Sequence, residues 1–102
     1  MAEFVKVAST DGIKEGKMKG FSVKGNKLLI ANVDGKYYSI CSVCTHKGGP
    51  LADGGLNDKV VTCPWHGAKF DVTNGDIVSG PAKENEKKYE VKVQGKDILV
   101  KI

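Results

Sequence analysis

The two histidines of this chain each follow a cysteine within three residues, and both pairs lie in glycine- and proline-containing stretches. The first stretch reads Cys44-Thr45-His46-Lys47-Gly48-Gly49-Pro50-Leu51, the second Cys63-Pro64-Trp65-His66-Gly67. Sixteen residues, 47–62, separate His46 from Cys63, which gives the pattern C-x-H-x16-C-x2-H. Each stretch offers one thiolate and one imidazole. Three cysteines are an odd number and argue against a disulfide framework, so metal ligation is the sharper question. Any fold for this chain has to bring the two stretches together.

Around them the periodicity is that of short strands. Residues 3–7 alternate polar and apolar, and residues 17–24 pair with 27–33 across a Gly25-Asn26 turn. Asp34-Gly35 marks a second two-residue hairpin into residues 36–40, and Asn57-Asp58 precedes a strand at 59–62. Residues 70–72 lead through Thr73-Asn74-Gly75 to 76–78, and 89–93 turn at Gln94-Gly95-Lys96 into 97–102. No segment holds a 3.6-residue period for three turns. Short strands with turn signals at this frequency predict an all-β fold, an antiparallel sandwich or barrel, carrying loops at about 41–55 and 63–70. A length of 102 residues supports one domain, 1–102.

A [2Fe–2S] centre with two cysteines on one iron and two histidines on the other needs the supply that the two stretches provide. The spacer between them is long enough to cross the site and return as a strand. At this point the sequence resembles the Rieske-type ferredoxins over nearly its whole length. The C-T-H-x-G-x-P-L and C-P-W-H-G-x-x-F stretches look like that family's two cluster-binding loops. Phe4-Val5-Lys6-Val7-Ala8, Val33-Asp34-Gly35-Lys36-Tyr37-Tyr38 and Thr73-Asn74-Gly75 are similar in place and character. The resemblance implies a Rieske-like antiparallel β-sandwich with a cluster-binding subdomain formed by two loops. It further implies one [2Fe–2S] cluster bound by Cys44, His46, Cys63 and His66, the cysteines on the inner iron and the histidines on the outer, more exposed one.

Bridging sulfides accept backbone N–H hydrogen bonds, so Gly48, Gly49 and Gly67 suit a chain wrapped closely around them. Pro50, Leu51, Pro64 and Trp65 are expected to wall the centre from water. The Rieske subunits of cytochrome bc complexes add a cysteine in each loop, where this chain has Gly49 and Trp65. That high-potential branch also places a serine and a tyrosine as hydrogen-bond donors where this chain has Ala68 and Phe70. Without those donors the extra electron is less stabilised, which predicts a potential near the lower end of the Rieske range, about −150 mV. With both histidines committed, a second iron held by two histidines and a carboxylate cannot be built from this chain. The expectation is an electron carrier and not an enzyme.

The main rival uses the third cysteine. Cys41, Cys44, Cys63 and His66 have permissible spacing for a Cys3His structural zinc ribbon. That reading leaves His46 and the Gly-Gly-Pro-Leu run after it unemployed; under the cluster reading Cys41 is a small buried residue at a strand end. A thiol nucleophile is disfavoured, since no orienting acid is evident and two Cys/His loops exceed its needs. All 16 basic residues are lysines and the net charge is +4. The absence of arginine argues against nucleic acid, and the charge suits an acidic protein partner. No apolar run approaches the ~18 residues of a membrane span, and the opening residues carry no leader-like apolar segment. The expectation is a cytoplasmic monomer whose partners, by resemblance, are a flavin-containing reductase and a terminal oxygenase or other oxidoreductase.

Overall fold

Leu28-Leu29-Ile30-Ala31 breaks the alternation of its neighbours with four apolar residues in a row, each fully buried. A strand reads this way when both of its faces are covered. In the computed structural model, which describes residues 4–43, 51–64, 67–80 and 85–101, the run is the middle of β3 (Asn26–Val33). With β2 (Met18–Val23), β4 (Lys36–Cys41) and β9 (Lys88–Tyr89) it forms an antiparallel sheet of order β2-β3-β4-β9.

Each face of that sheet packs against a further sheet. On one side Leu28 and Ile30 join Ile13, Tyr89, Ile98 and Val100. This layer belongs to a sheet of order β1-β11-β10, made of β1 (Phe4–Ser9), β10 (Val91–Gln94) and β11 (Asp97–Lys101). On the other side Leu29, Ala31 and Ile40 meet Leu51, Val61, Cys63, Ala68, Phe70 and Val72. These come from, or adjoin, the sheet β5 (Gly55–Asn57), β6 (Val60–Thr62), β7 (Lys69–Asp71) and β8 (Ile77–Ser79). The expected antiparallel sandwich is present; the second loop joins β6 to β7 of this further sheet, and the first lies between β4 of the central sheet and the 3-10 turn Leu51–Asp53 that precedes β5. Burying a Leu or Ile side chain contributes about 1.5–3 kcal/mol, so the β3 run anchors both interiors.

Turn chemistry sets the register. Asp34 and Gly35 have φ of 53° and 85°, the left-handed pair that a two-residue hairpin requires. Asn32 fixes this turn from below, its side-chain oxygen accepting the Gly35 amide at 2.9 Å. The first hairpin turns one residue earlier than expected. Lys24 and Gly25 take φ of 49° and 83°, and Asn26 pairs with Val23 as the first residue of β3. The glycine occupies the second central position of the turn and not the first.

Two other expectations change. Residues 89–93 do not make one strand: Tyr89 pairs with Ser39 of β4, while Val91 pairs with Val100 of β11. The chain changes sheets at Glu90, where unbroken alternation and the lack of Gly or Pro gave no sign. Residue 55, expected to end the first loop, and residues 56 and 57, for which the sequence predicts no strand, form β5 against β6. A single apolar residue, Leu56, was too little pattern to read.

Candidate cofactor site

Both loops that carry the expected ligands are tied at their necks by backbone hydrogen bonds. Leu51 N–H donates to Ser42 C=O at 2.8 Å, bracketing the first loop. Ser42 N–H donates in turn to Lys27 C=O at 3.0 Å, and Cys41 N–H to Lys87 C=O at 2.8 Å, so this neck hangs from β3 and from the approach to β9. At the second loop Cys63 N–H donates to Ala68 C=O at 2.7 Å, directly continuing the β6–β7 ladder. Of the four expected ligands, Cys63 is among the described residues; Cys44, His46 and His66 lie outside them, as do Lys47, Gly48, Gly49, Pro50 and Trp65.

Cys63 is 1% exposed and packs with Leu51, Val61, Ala68 and Phe70. A thiolate in such apolar surroundings is costly unless a cation binds it, which is what a metal centre supplies. Two soft thiolates and two imidazoles are the donor set that a Rieske [2Fe–2S] centre takes. The donor set in the sequence fits that group, and of it Cys63 is among the described residues. Leu51 is fully buried in the same cluster as Cys63, and Pro64 is exposed. Ala68 and Phe70, the positions without hydroxyl groups, are both fully buried in the same cluster.

Two glycines that sequence reasoning passed over position the second loop. A Cβ on Gly54 would fall inside the Thr62 carbonyl oxygen and reach Pro64 Cδ at 3.1 Å. Gly54 follows the 3-10 turn Leu51–Asp53 at the exit of the first loop, so this close approach joins the two necks. Gly80, at φ +97°, lies against the second loop's exit: a Cβ there would stand 2.7 Å from Ala68 Cα. Nothing in the sequence separates Gly54 from Gly55, which has open space where its Cβ would be.

Cys41 ends β4 with its side chain on the opposite face from Ile40. It packs with the Leu28–Ile98 interior, while Ile40 shares the other interior with Cys63. A zinc ion holding both sulfurs at about 2.3 Å would need them in one place, so the Cys3His ribbon is overturned. Cys41 is also only partly buried, more exposed than expected. Burial, and then the nearby Cys41 and Glu86, push the Tyr89 hydroxyl above its ordinary pKa.

Behind the site Asp71 organises the turn after β7. One carboxylate oxygen accepts the Thr73 amide at 2.8 Å and the Thr73 hydroxyl at 2.6 Å; the other faces Lys59 Nζ at 3.6 Å. Burial alone would raise its pKa, but these hydrogen bonds and the lysine charge outweigh it and hold the carboxyl below its ordinary value.

The class of protein so defined is a layered antiparallel β-sheet protein with two neck-tied loops and Cys63 buried at the start of the second. The chain belongs to the Rieske [2Fe-2S] domain family, whose profile matches residues 3–100. Over 98 residues it is 37% identical to the biphenyl dioxygenase ferredoxin subunit of Pseudomonas sp. (strain KKS102), covering 95% of this chain and 90% of that one. The naphthalene 1,2-dioxygenase system ferredoxin component of Pseudomonas aeruginosa is 34% identical over 88 residues, covering 86% and 85%. Among solved structures, the ferredoxin of carbazole 1,9a-dioxygenase from Nocardioides aromaticivorans IC177 superposes with a TM-score of 0.90 at 30% identity, covering 95% of each chain. A complex of reduced oxygenase and oxidized ferredoxin in carbazole 1,9a-dioxygenase gives the same TM-score at 28% identity, covering 95% of this chain and 91% of that one. These relatives are electron-carrying components of dioxygenase systems and not their catalytic subunits.

Proposed function

We propose that this chain is a low-potential ferredoxin that passes single electrons from a reductase to a terminal oxygenase or other oxidoreductase. One [2Fe–2S] cluster per chain would be held by Cys44, His46, Cys63 and His66. When bound, the cluster supplies one-electron redox chemistry; the protein supplies ligands, shelter and a docking face. The observation that carries the reading is buried Cys63 at the neck of the β6–β7 hairpin, in a chain that matches ferredoxin components nearly end to end.

The remaining parts of the reading follow from the chain's own residues. Leu51 and Phe70 keep water from the Cys63 side, and Ala68 and Phe70 offer no hydroxyl donor there, which favours the lower end of the Rieske potential range. Both histidines are spent as ligands, leaving none for an oxygen-activating iron. No helix among the described residues is long and apolar enough to cross a membrane. The protein is read as one domain, monomeric and cytoplasmic, with redox proteins as partners and no role in binding nucleic acid.

The test is electron paramagnetic resonance of the dithionite-reduced protein, with iron, sulfide and zinc analysis and a potentiometric titration. Iron and sulfide in amounts matching one cluster per chain are expected, with a midpoint of about −150 mV. Replacing any one of Cys44, His46, Cys63 or His66 by alanine should abolish the Rieske signal. A colourless, zinc-replete protein would overturn the reading, and a midpoint above about +100 mV would overturn its low-potential part.

A further inference from the structure

We propose that the end of the molecule bearing the two loops is a basic docking face for an acidic surface on its redox partner. This rests on the electron-carrier reading above and names the chemistry of the partner.

The observation is an uneven distribution of charge along β3 and β4. At the loop end, Lys27 lends its carbonyl to Ser42, Lys87 lends its carbonyl to Cys41, and Lys69 follows Ala68, whose carbonyl holds the Cys63 amide. All three side chains are exposed. Lys24, in the turn before β3, stands at the same end. Among the described residues Lys27 and Lys69 have no ion-pair partner, and Lys87 lies over the Tyr89 ring, with Nζ 5.1 Å from its centroid, which leaves its charge intact. Among the described residues Asp53 is an exposed carboxylate beside the first neck. Glu86, next to Lys87, is buried.

The opposite end differs. Glu15, Asp34 and Asp58 line one open hollow with Gly16, Asn32 and Val33, and Lys14, Lys17 and Lys36 nearby roughly balance them. In the third sheet region Lys59 is paired with Asp71. In the terminal sheet Lys6, Lys96 and Lys101 are paired with Asp97, Asp11 and Glu90 at 3.1, 3.6 and 3.6 Å. Lys27, Lys69 and Lys87 thus place exposed positive charge at the end where the loops emerge.

The length of β3, at about 3.3 Å per residue, separates the two ends by roughly 23 Å. Screening at physiological salt acts over about 8 Å, so a molecule approaching the loops meets the loop-end lysines and not the distant acids. Electrostatic steering of this kind raises encounter rates and orients the encounter.

The sign of the field can be read without the natural partner. Reduced protein is mixed in a stopped-flow instrument with hexacyanoferrate(III), a trianion, or with tris(phenanthroline)cobalt(III), a trication. In each case one electron leaves the protein and reduces the oxidant, to hexacyanoferrate(II) or to cobalt(II). The anionic oxidant should lose about tenfold in rate between low and high salt, while the cationic one should gain. The combined variant Lys27→Glu, Lys69→Glu, Lys87→Glu should reverse both slopes, and Lys36→Glu, at the other end, should change neither. Oxidation by the anion that is flat or faster with rising salt in the unaltered protein overturns the inference while leaving the electron-carrier reading intact. A protein that dithionite cannot reduce overturns that reading instead.

Discussion

Replacing Gly54 by alanine tests the idea that the two loop necks are held by a backbone contact that no side chain could make. A Cβ at this position would sit far inside contact distance of the Thr62 carbonyl oxygen, with Pro64 Cδ 3.1 Å away on the same side. The carbonyl is part of the β5–β6 ladder, where Thr62 pairs with Gly55, so it cannot rotate aside. Relief requires a backbone displacement on the order of an ångström, and forced insertions of this kind cost about 1–3 kcal/mol. Because backbone opposes backbone, a loss near the upper figure, about 3 kcal/mol, is expected. For a domain of this size that corresponds to a fall of roughly 12–24 °C in melting temperature. The neighbouring Gly55→Ala is the internal control, since it meets nothing within 4 Å. It should be neutral or stabilising by about 0.5 kcal/mol, through the unfolded chain. Thermal unfolding followed by far-ultraviolet circular dichroism, with the visible spectrum recorded alongside, measures both. Gly54→Ala melting within about 3 °C of the parent, or Gly55→Ala falling as far, would refute the reasoning.

Two further outcomes are expected. Cys41→Ser should keep its visible chromophore and its iron, because Cys41 faces the interior opposite to Cys63; bleaching on this substitution would return Cys41 to the ligand set. Asp71→Ala should cost about 2 kcal/mol near neutral pH, the worth of charge-assisted hydrogen bonds to Thr73. The folded Asp71 carboxyl lies below its ordinary value, so its contribution is full above the unfolded value and fades as pH falls through the folded one. Urea unfolding of both proteins from pH 7 down to pH 3 should therefore show a gap that narrows on acidification, and a gap constant across that span would contradict the assignment.

What the sequence made legible was whatever had a period or a motif. The C-x-H and C-x2-H pairs pointed to the family whose profile matches the chain, and Asp34-Gly35 announced its hairpin through the one conformation that such a pair favours. The unbroken Leu28–Ala31 run was visible as the longest apolar stretch, but its meaning, a strand covered on both faces, needed the third layer. What stayed hidden was tertiary in origin. Glu90 looks like any other polar position in an alternating strand, yet the pairing partners of Tyr89 and Val91 belong to different sheets. Gly54 and Gly55 are indistinguishable as letters and differ only in what stands opposite them. Cys41 was a plausible ligand by spacing, and only its face of β4 removed it.

Because β3 serves both interiors, the protein has no neutral ground between its terminal sheet and the β5–β8 sheet. None of Leu28, Leu29, Ile30 or Ala31 has a wet side on which a polar replacement could be accommodated, and successive residues answer to different neighbours. A change that loosens Leu28 is a change in the floor beneath Leu29. Mutational drift is therefore tightly confined in this stretch, and damage dealt to one outer layer reaches the layer that holds Cys63 by way of one shared strand.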